Sequence, residues 1–309
     1  MAEAALAHER LFALRSEICR LESRKSMGLA RAAREDPWDK PAQVDDEGVI
    51  ASGAEAFDVV LGGGIAKAAL HEVRSAGTSD NGAASGFALA LGRLALGAGA
   101  SSRRLLWISD PMGAAESGVA YGPGLASHGV PPSALLHARP RHLKDALMIA
   151  EAALAVSSFA AIILEVYGNP QKFGLTESRR LHLRAKANRR PIFLLRERGE
   201  EEASNAVTRF LARPAPAGPF ILPGGKSYPQ GMGNPAFHIT LEKSRNPSPP
   251  EFLLEWNADE CLFHQRDPVG LALPARWRTE DPVPLLPLSR DRPDRADTMG
   301  AVVALPRAS

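Results

Sequence analysis

Between residues 49 and 262 the apolar positions fall into two alternating patterns. Apolar-rich runs at Leu105–Ser109, Ala160–Val166 and Ile192–Arg196, with shorter segments at Leu70–Val73 and Leu135–Ala138, predict strands. Between them lie longer segments with helical spacing. The first is Ser85–Gly97, with Phe87, Leu89, Leu91, Leu94 and Leu96. The second is His142–Ser157, with Leu143, Leu147, Ala150 and Leu154, and Thr176–Asn188 is the third. Strands that are apolar on both faces and separated by helices predict an α/β fold, with a mainly parallel sheet flanked by helices. Residues 213–236 are rich in Pro and Gly and read as an irregular loop. Two strands follow, Phe237–Glu242 and Glu251–Trp256, which the proline-broken turn between them marks as an antiparallel edge.

The pattern changes outside this block. Residues 3–26 carry Leu11, Leu14, Ile18 and Leu21 at helical spacing, one apolar stripe flanked by charged residues. That stripe suits either docking on its own core or pairing with a partner. Residues 37–48 are acidic and contain Pro37 and Pro41, as a linker would. Beyond His264, prolines and charges repeat without periodicity, which reads as a disordered tail with one apolar island from Val283 to Leu288. The expected division is therefore 1–48 for helix and linker, 49–264 for the core, and 265–309 for the tail.

Composition narrows the function classes. The chain has 309 residues, of which 37 are basic and 35 acidic, so overall charge drives no nonspecific binding to nucleic acid or membranes. The two cysteines, Cys19 and Cys261, are far apart, which argues against a disulfide framework or a cysteine zinc site and fits the cytoplasm. The eight histidines show no metal-ligand pairing. The uncharged run 152–164 falls short of the ~20 residues a membrane span needs and reads as a buried helix entering a buried strand.

The stretch after the strand at 70–73 has candidate chemistry. A phosphate-binding P-loop reads G-x-x-x-x-G-K-[ST] between a strand and a helix, and its backbone N–H groups hold the phosphates. The lysine neutralises β/γ charge and the hydroxyl ligates magnesium. Here Gly77 and Gly82 are in register, but Ala83 stands at the lysine position and Ala84 at the hydroxyl position. Ser85 offers a displaced hydroxyl, so nucleotide binding without turnover stays open. An ordinary strand-to-helix turn is the competing reading. The strand that would carry the magnesium-holding Asp ends in Glu165 instead, at the sheet end that faces the ligand crevice in doubly wound folds.

Several pieces, in order, resemble the ImuA family, the RecA-like component of an inducible mutagenesis cassette. They include Phe57-Asp58, Leu61-Gly62-Gly63-Gly64, His71-Glu72-Val73, Ala84-Ser85-Gly86-Phe87 and Leu106-Trp107-Ile108. Further on come Tyr121-Gly122-Pro123-Gly124-Leu125, Ser178-Arg179-Arg180-Leu181 and Ala206-Val207-Thr208-Arg209-Phe210. The resemblance covers about residues 6–262. It implies a RecA-like core and a role in SOS mutagenesis and translesion DNA synthesis through protein–protein contacts rather than catalysis. The implied partners are an ImuB-type polymerase-like protein and RecA, with the error-prone polymerase a further candidate; the degenerate loop leads to no expected cofactor, with ATP binding without hydrolysis left open. Two other readings stand beside it: an ATPase using an unusual P-loop, and a cell-division inhibitor of the kind found among small RecA-like proteins.

Basic residues suggest a second candidate region. Arg179, Arg180, Arg184, Arg189 and Arg190 lie on or just beyond the third helix, where they suit DNA phosphates, although a solvated outer face is the favoured reading. Glu200, Glu201 and Glu202 follow the next strand and would repel phosphates. Arg209 reads as a structural ion-pair partner. Lys243 and Arg245 correspond, by the resemblance, to basic residues that reach a neighbouring subunit's nucleotide, although an exposed hairpin end explains them as well.

Overall fold

The computed structural model describes residues 48–97, 103–222, 226–244 and 250–266. The expected N-terminal stripe Leu11, Leu14, Ile18 and Leu21 lies outside the described residues, as do Arg245 and the tail beyond Arg266.

The expected α/β architecture is present. Its main sheet combines strands β3 (Leu70–Arg74), β4 (Arg104–Ile108), β5 (Leu135–Ala138), β6 (Phe159–Tyr167), β7 (Ile192–Glu197) and β8 (Thr208–Ala215) with β11 (Ala236–Lys243), β12 (Glu251–Asn257) and β13 (Leu262–Gln265). The nine strands are ordered β13-β12-β11-β8-β3-β7-β6-β4-β5. From β8 to β5 every neighbouring pair is parallel, whereas β11, β12 and β13 add an antiparallel edge. Strands β6 and β7 are buried on both faces and mostly apolar, whereas β3 is buried with His71 and Glu72 among its residues.

Two cores result, one on each face. Helix α2 (Asn81–Leu96) crosses the first face, where Phe87 meets Phe210, Phe237 and Phe263 at ring separations of 5.4–5.8 Å. Small residues in α2, such as Ala88, Ala90 and Gly92, let it lie close to the sheet; a Cβ at Gly92 would stand 3.2 Å from Leu105. Helices α5 (Leu143–Leu154) and α6 (Leu175–Ala187) cover the other face, with Leu147, Leu154 and Leu181 against Leu70, Ile162 and Leu194. Two short helices, α3 (Pro111–Glu116) and α4 (Gly122–Ser127), fill the connection from β4 to β5.

A small hairpin precedes the sheet. Strands β1 (Val49–Ile50) and β2 (Ile65–Ala66) pair antiparallel around helix α1 (Glu55–Val60), which buries Phe57 against Phe210 and Phe252. Asp58 accepts the Ser52 backbone N–H at 3.0 Å. Gly62, Gly63 and Gly64 all have positive φ, and a Cβ on Gly64 would collide with the Ile50 carbonyl, so this return to β2 needs glycine.

The predicted loop over residues 213–236 is corrected. Strand β8 continues to Ala215, and β9 (Pro219–Ile221) pairs antiparallel with β10 (Ser227–Met232). Prolines broke the local pattern, but hairpin partners supply the hydrogen bonds that hold an extended chain. At the other end β13 runs to Gln265, one residue past the expected core boundary.

Candidate functional site

The carboxyl ends of the parallel strands carry a hydrogen-bonded chain of polar groups, all buried except the exposed Ser117. It begins just after β3, where Ser75 is fully buried and its hydroxyl donates to Asn81 Oδ1 at 2.5 Å. Ser75 Oγ in turn accepts the Arg198 backbone N–H at 3.0 Å. Asn81, the first residue of α2, donates from Nδ2 to Ser117 Oγ at 2.9 Å, and Ser117 donates to Glu197 Oε2 at 3.1 Å. Glu197 ends β7. Beside it on the same face Glu165, near the end of β6, accepts the Trp107 indole N–H at 3.1 Å.

Gly113 of α3 lies directly over this carboxyl pair. A Cβ there would collide with Glu165 Oε1 and stand 3.0 Å from Glu197 Oε2. Only a glycine lets α3 close so tightly, and Asp110 fixes the helix start by accepting the Met112 N–H at 2.8 Å. Burial pushes the Glu165 carboxyl up from 4.5 to about 7; the hydrogen bonds from Trp107 and Ser109 act against that rise, and the charges of Glu197 and Asp110 add to it. Burial also raises Glu197, and the Ser117 bond partly offsets the rise. The pair can therefore hold a proton near neutral pH. Among the described residues no group of three or more His, Cys, Asp or Glu side chains is placed to hold a metal ion.

The loop after β3 has simple geometry. It passes through a 3₁₀ turn, Thr78–Asp80, straight into α2. Gly77 is extended, at φ −142° and ψ 172°, and no residue between 65 and 96 has positive φ. A phosphate nest needs successive N–H groups turned inward by alternating αR and αL residues, and this stretch lacks the αL half. A Cβ on Gly82 would meet nothing, so neither the conformation nor the space at that position calls for glycine. Ala84 is fully buried in the first core, Ala83 packs against its edge, and Ser85 is half-buried on α2.

On the opposite face Glu72 joins two arginines. It is fully buried, 3.1 Å from Arg196 Nε and 3.2 Å from Arg209 Nε, and it accepts the Ser204 hydroxyl at 2.7 Å. Glu202 lies 3.3 Å from Arg196 and Glu201 3.5 Å from Arg209, which ties the 200–202 segment onto this cluster. Arg196 also stacks over Phe173 at 5.1 Å. Arg209 is thus the ion-pair partner expected from the sequence. Lys243 is tied inward as well, donating to the Ser204 carbonyl at 2.7 Å.

The basic candidates divide. Arg180 pairs with Glu151, and Arg190 donates to the carbonyls of Ala153 and Leu154 at the end of α5. Arg179, Arg184 and Arg189 are exposed, and Arg189 has a positive φ of 47°.

Beside the carboxyl pair, at the ends of β4 and β5, a cleft of about 300 Å³ opens between Ser109, Asp110, Pro111, Arg139 and Arg141. Ser109 Oγ lies 2.6 Å from His137 Nε2. Burial lowers the His137 pKa, and the neighbouring Arg139 charge lowers it further.

Of the sequence candidates, the structure brings Glu165 and the start of α2 to one edge of the sheet. The 179–190 arginines lie elsewhere, on and just after α6. Ser75, Ser117, Glu197, Ser109 and His137 carried no motif, and Asn81 fell on an unspecified position of the Gly77–Gly82 pattern. Their one sequence signal is position, since Ser75, Ser109 and Glu197 are polar residues at or just past the carboxyl ends of apolar strands. No described helix is long and apolar enough to cross a membrane. Comparison with protein-family models and with curated proteins finds no match.

Proposed function

We propose that this chain is a non-catalytic accessory protein on a RecA-like scaffold that acts through protein–protein contacts. The observation that carries this reading is the loop from Gly77 to Ser85. It lacks the lysine, the hydroxyl and the αL residues of a phosphate cradle, and Ala84 points into the core. Turnover of a nucleoside triphosphate has no support there. Glu165, at the magnesium-holding position, is locked under Gly113 rather than open to a ligand.

The biological setting rests on the ordered ImuA-like motifs. On that reading the chain serves in damage-induced translesion DNA synthesis, with an ImuB-type protein and RecA as partners, in the cytoplasm. The α/β fold with a mostly parallel sheet supports the RecA-like core that the resemblance implies. Co-purification with an ImuB-type protein tests the proposal: a stable complex is expected without added nucleotide. Failure of two folded proteins to associate overturns the partner assignment. Magnesium-dependent ATP turnover that is lost in Glu165→Gln overturns the non-catalytic reading.

A further inference from the structure

The cleft at the ends of β4 and β5 has no part in the reading above, and three observations single it out. Its location comes first. The chain leaves β4 toward the α2 face, where Leu125 of α4 joins that core, and leaves β5 toward the opposite face, where α5 packs. Adjacent parallel strands whose connections leave to opposite faces form a topological switch point, and ligands of open α/β sheets bind in the crevice outside the carboxyl ends of such strands. The cavity of about 300 Å³ lies there, at the lower end of the range for small-molecule sites.

Charge is the second. Arg139 and Arg141 both line the cleft and are exposed, and neither makes a hydrogen bond or ion pair with the described residues. Elsewhere in the fold arginines such as Arg74, Arg180, Arg196 and Arg209 are matched with carboxylates. The single acid at this cleft, Asp110, is engaged with the Met112 and Gly113 N–H groups at 2.8 and 3.3 Å.

The third is the neutral lining. Ser109, which lines the cleft, is hydrogen-bonded to His137 of β5, and burial and the Arg139 charge both disfavour a charge on that imidazole. Two guanidinium forks and a hydroxyl provide more donors than one carboxylate uses, whereas the three oxygens of a phosphate monoester can accept from both forks. Asp110 retains acceptor capacity for a hydroxyl on the same ligand.

We propose that this cleft is a binding site for a phosphate monoester carried on a hydroxylated group, held by Arg139 and Arg141. The site is separate from the loop after β3 and does not depend on the proposed accessory role.

The test is calorimetric titration of the full chain at constant ionic strength with inorganic phosphate, AMP and adenosine. Oligonucleotides with and without a 5′-phosphate form a second set. AMP is expected to bind at least tenfold more tightly than phosphate, and adenosine not to bind. Arg139→Ser with Arg141→Ser should weaken AMP at least tenfold. Because both side chains are exposed and have no partner among the described residues, this variant should unfold at the wild-type temperature. Arg179→Ser with Arg184→Ser removes the same charge from α6 and should leave AMP binding unchanged. Binding only of the 5′-phosphorylated strand, lost in the Arg139/Arg141 variant, upholds the site and names a strand end as its source. Absence of binding by every phosphate probe overturns the proposal. So does equal weakening in both double variants, which marks nonspecific charge attraction.

Discussion

Replacing Glu165 with Gln is predicted to remove a stability contribution that, in the wild type, declines from pH 6 to pH 8. The carboxyl rises from 4.5 to about 7 in the folded protein, first because it is buried. Between those values the folded chain keeps a proton that the unfolded chain has released. The stability contributed by this group is therefore full below 4.5 and lost as pH rises through 7. At about 1.4 kcal/mol per pKa unit, the whole span amounts to about 3 kcal/mol, of which about 1 kcal/mol falls between pH 6 and pH 8. Glu197, also raised, acts in the same direction. His71 opposes it: burial holds this imidazole at about 4 instead of 6.5, so its contribution is present above 6.5 and lost as pH falls toward 4. Burial holds His128, His137 and His182 below 6.5 as well, and all four histidines are common to both proteins, so the difference between the two pH profiles isolates the carboxyl. Urea unfolding followed by tryptophan fluorescence at pH 6, 7 and 8 measures the effect. The Gln amide keeps an oxygen for the Trp107 N–H, so its advantage over wild type should widen by about 1 kcal/mol across the range. Parallel pH profiles for the two proteins would refute the reasoning, because they would mean that Glu165 titrates alike folded and unfolded.

Three further outcomes follow from the packing. Glu72→Ala leaves Arg196 and Arg209 buried without their shared counter-ion and should cost about 3–5 kcal/mol in chemical denaturation. Gly113→Ala forces a methyl onto Glu165 and should cost about 1–3 kcal/mol. Combined with Glu165→Ala, the cost should be less than the sum of the two single changes, and strict additivity in the double-mutant cycle would show that the two sites do not touch. Restoring the consensus with Ala83→Lys and Ala84→Thr should produce no ATPase in a phosphate-release assay. The new threonine hydroxyl would enter the core, at a stability cost of about 1–3 kcal/mol, and measurable turnover would show that the loop can reshape around phosphate.

What the sequence determined by itself is local. Apolar-rich runs and helical spacing placed β3 to β7, α5 and α6 to within a few residues, because burial on both faces leaves a mark on most residues of an element. The same logic missed β8. Its buried Arg209 looks like a solvent-facing residue until Glu72 on β3 is brought beside it, and Pro214 looks like a breaker until β11 pairs with it. It missed α3 too, whose start is set by Asp110 and whose place is set by Gly113 meeting two carboxylates from other strands. Glu165 was legible as a strand-end acid, but its proton affinity was not, since that comes from burial and from Glu197, 32 positions along the chain. The glycine spacing at Gly77 and Gly82 showed where a phosphate loop would lie. Only the backbone angles decided that the loop has no cradle, because a G-x-x-x-x-G pattern permits αL residues and does not require them. The cleft at Arg139 and Arg141 is likewise a product of strand order. Parallel pairing puts the ends of β4 and β5 side by side, and that pairing is written in long-range contacts rather than in either segment.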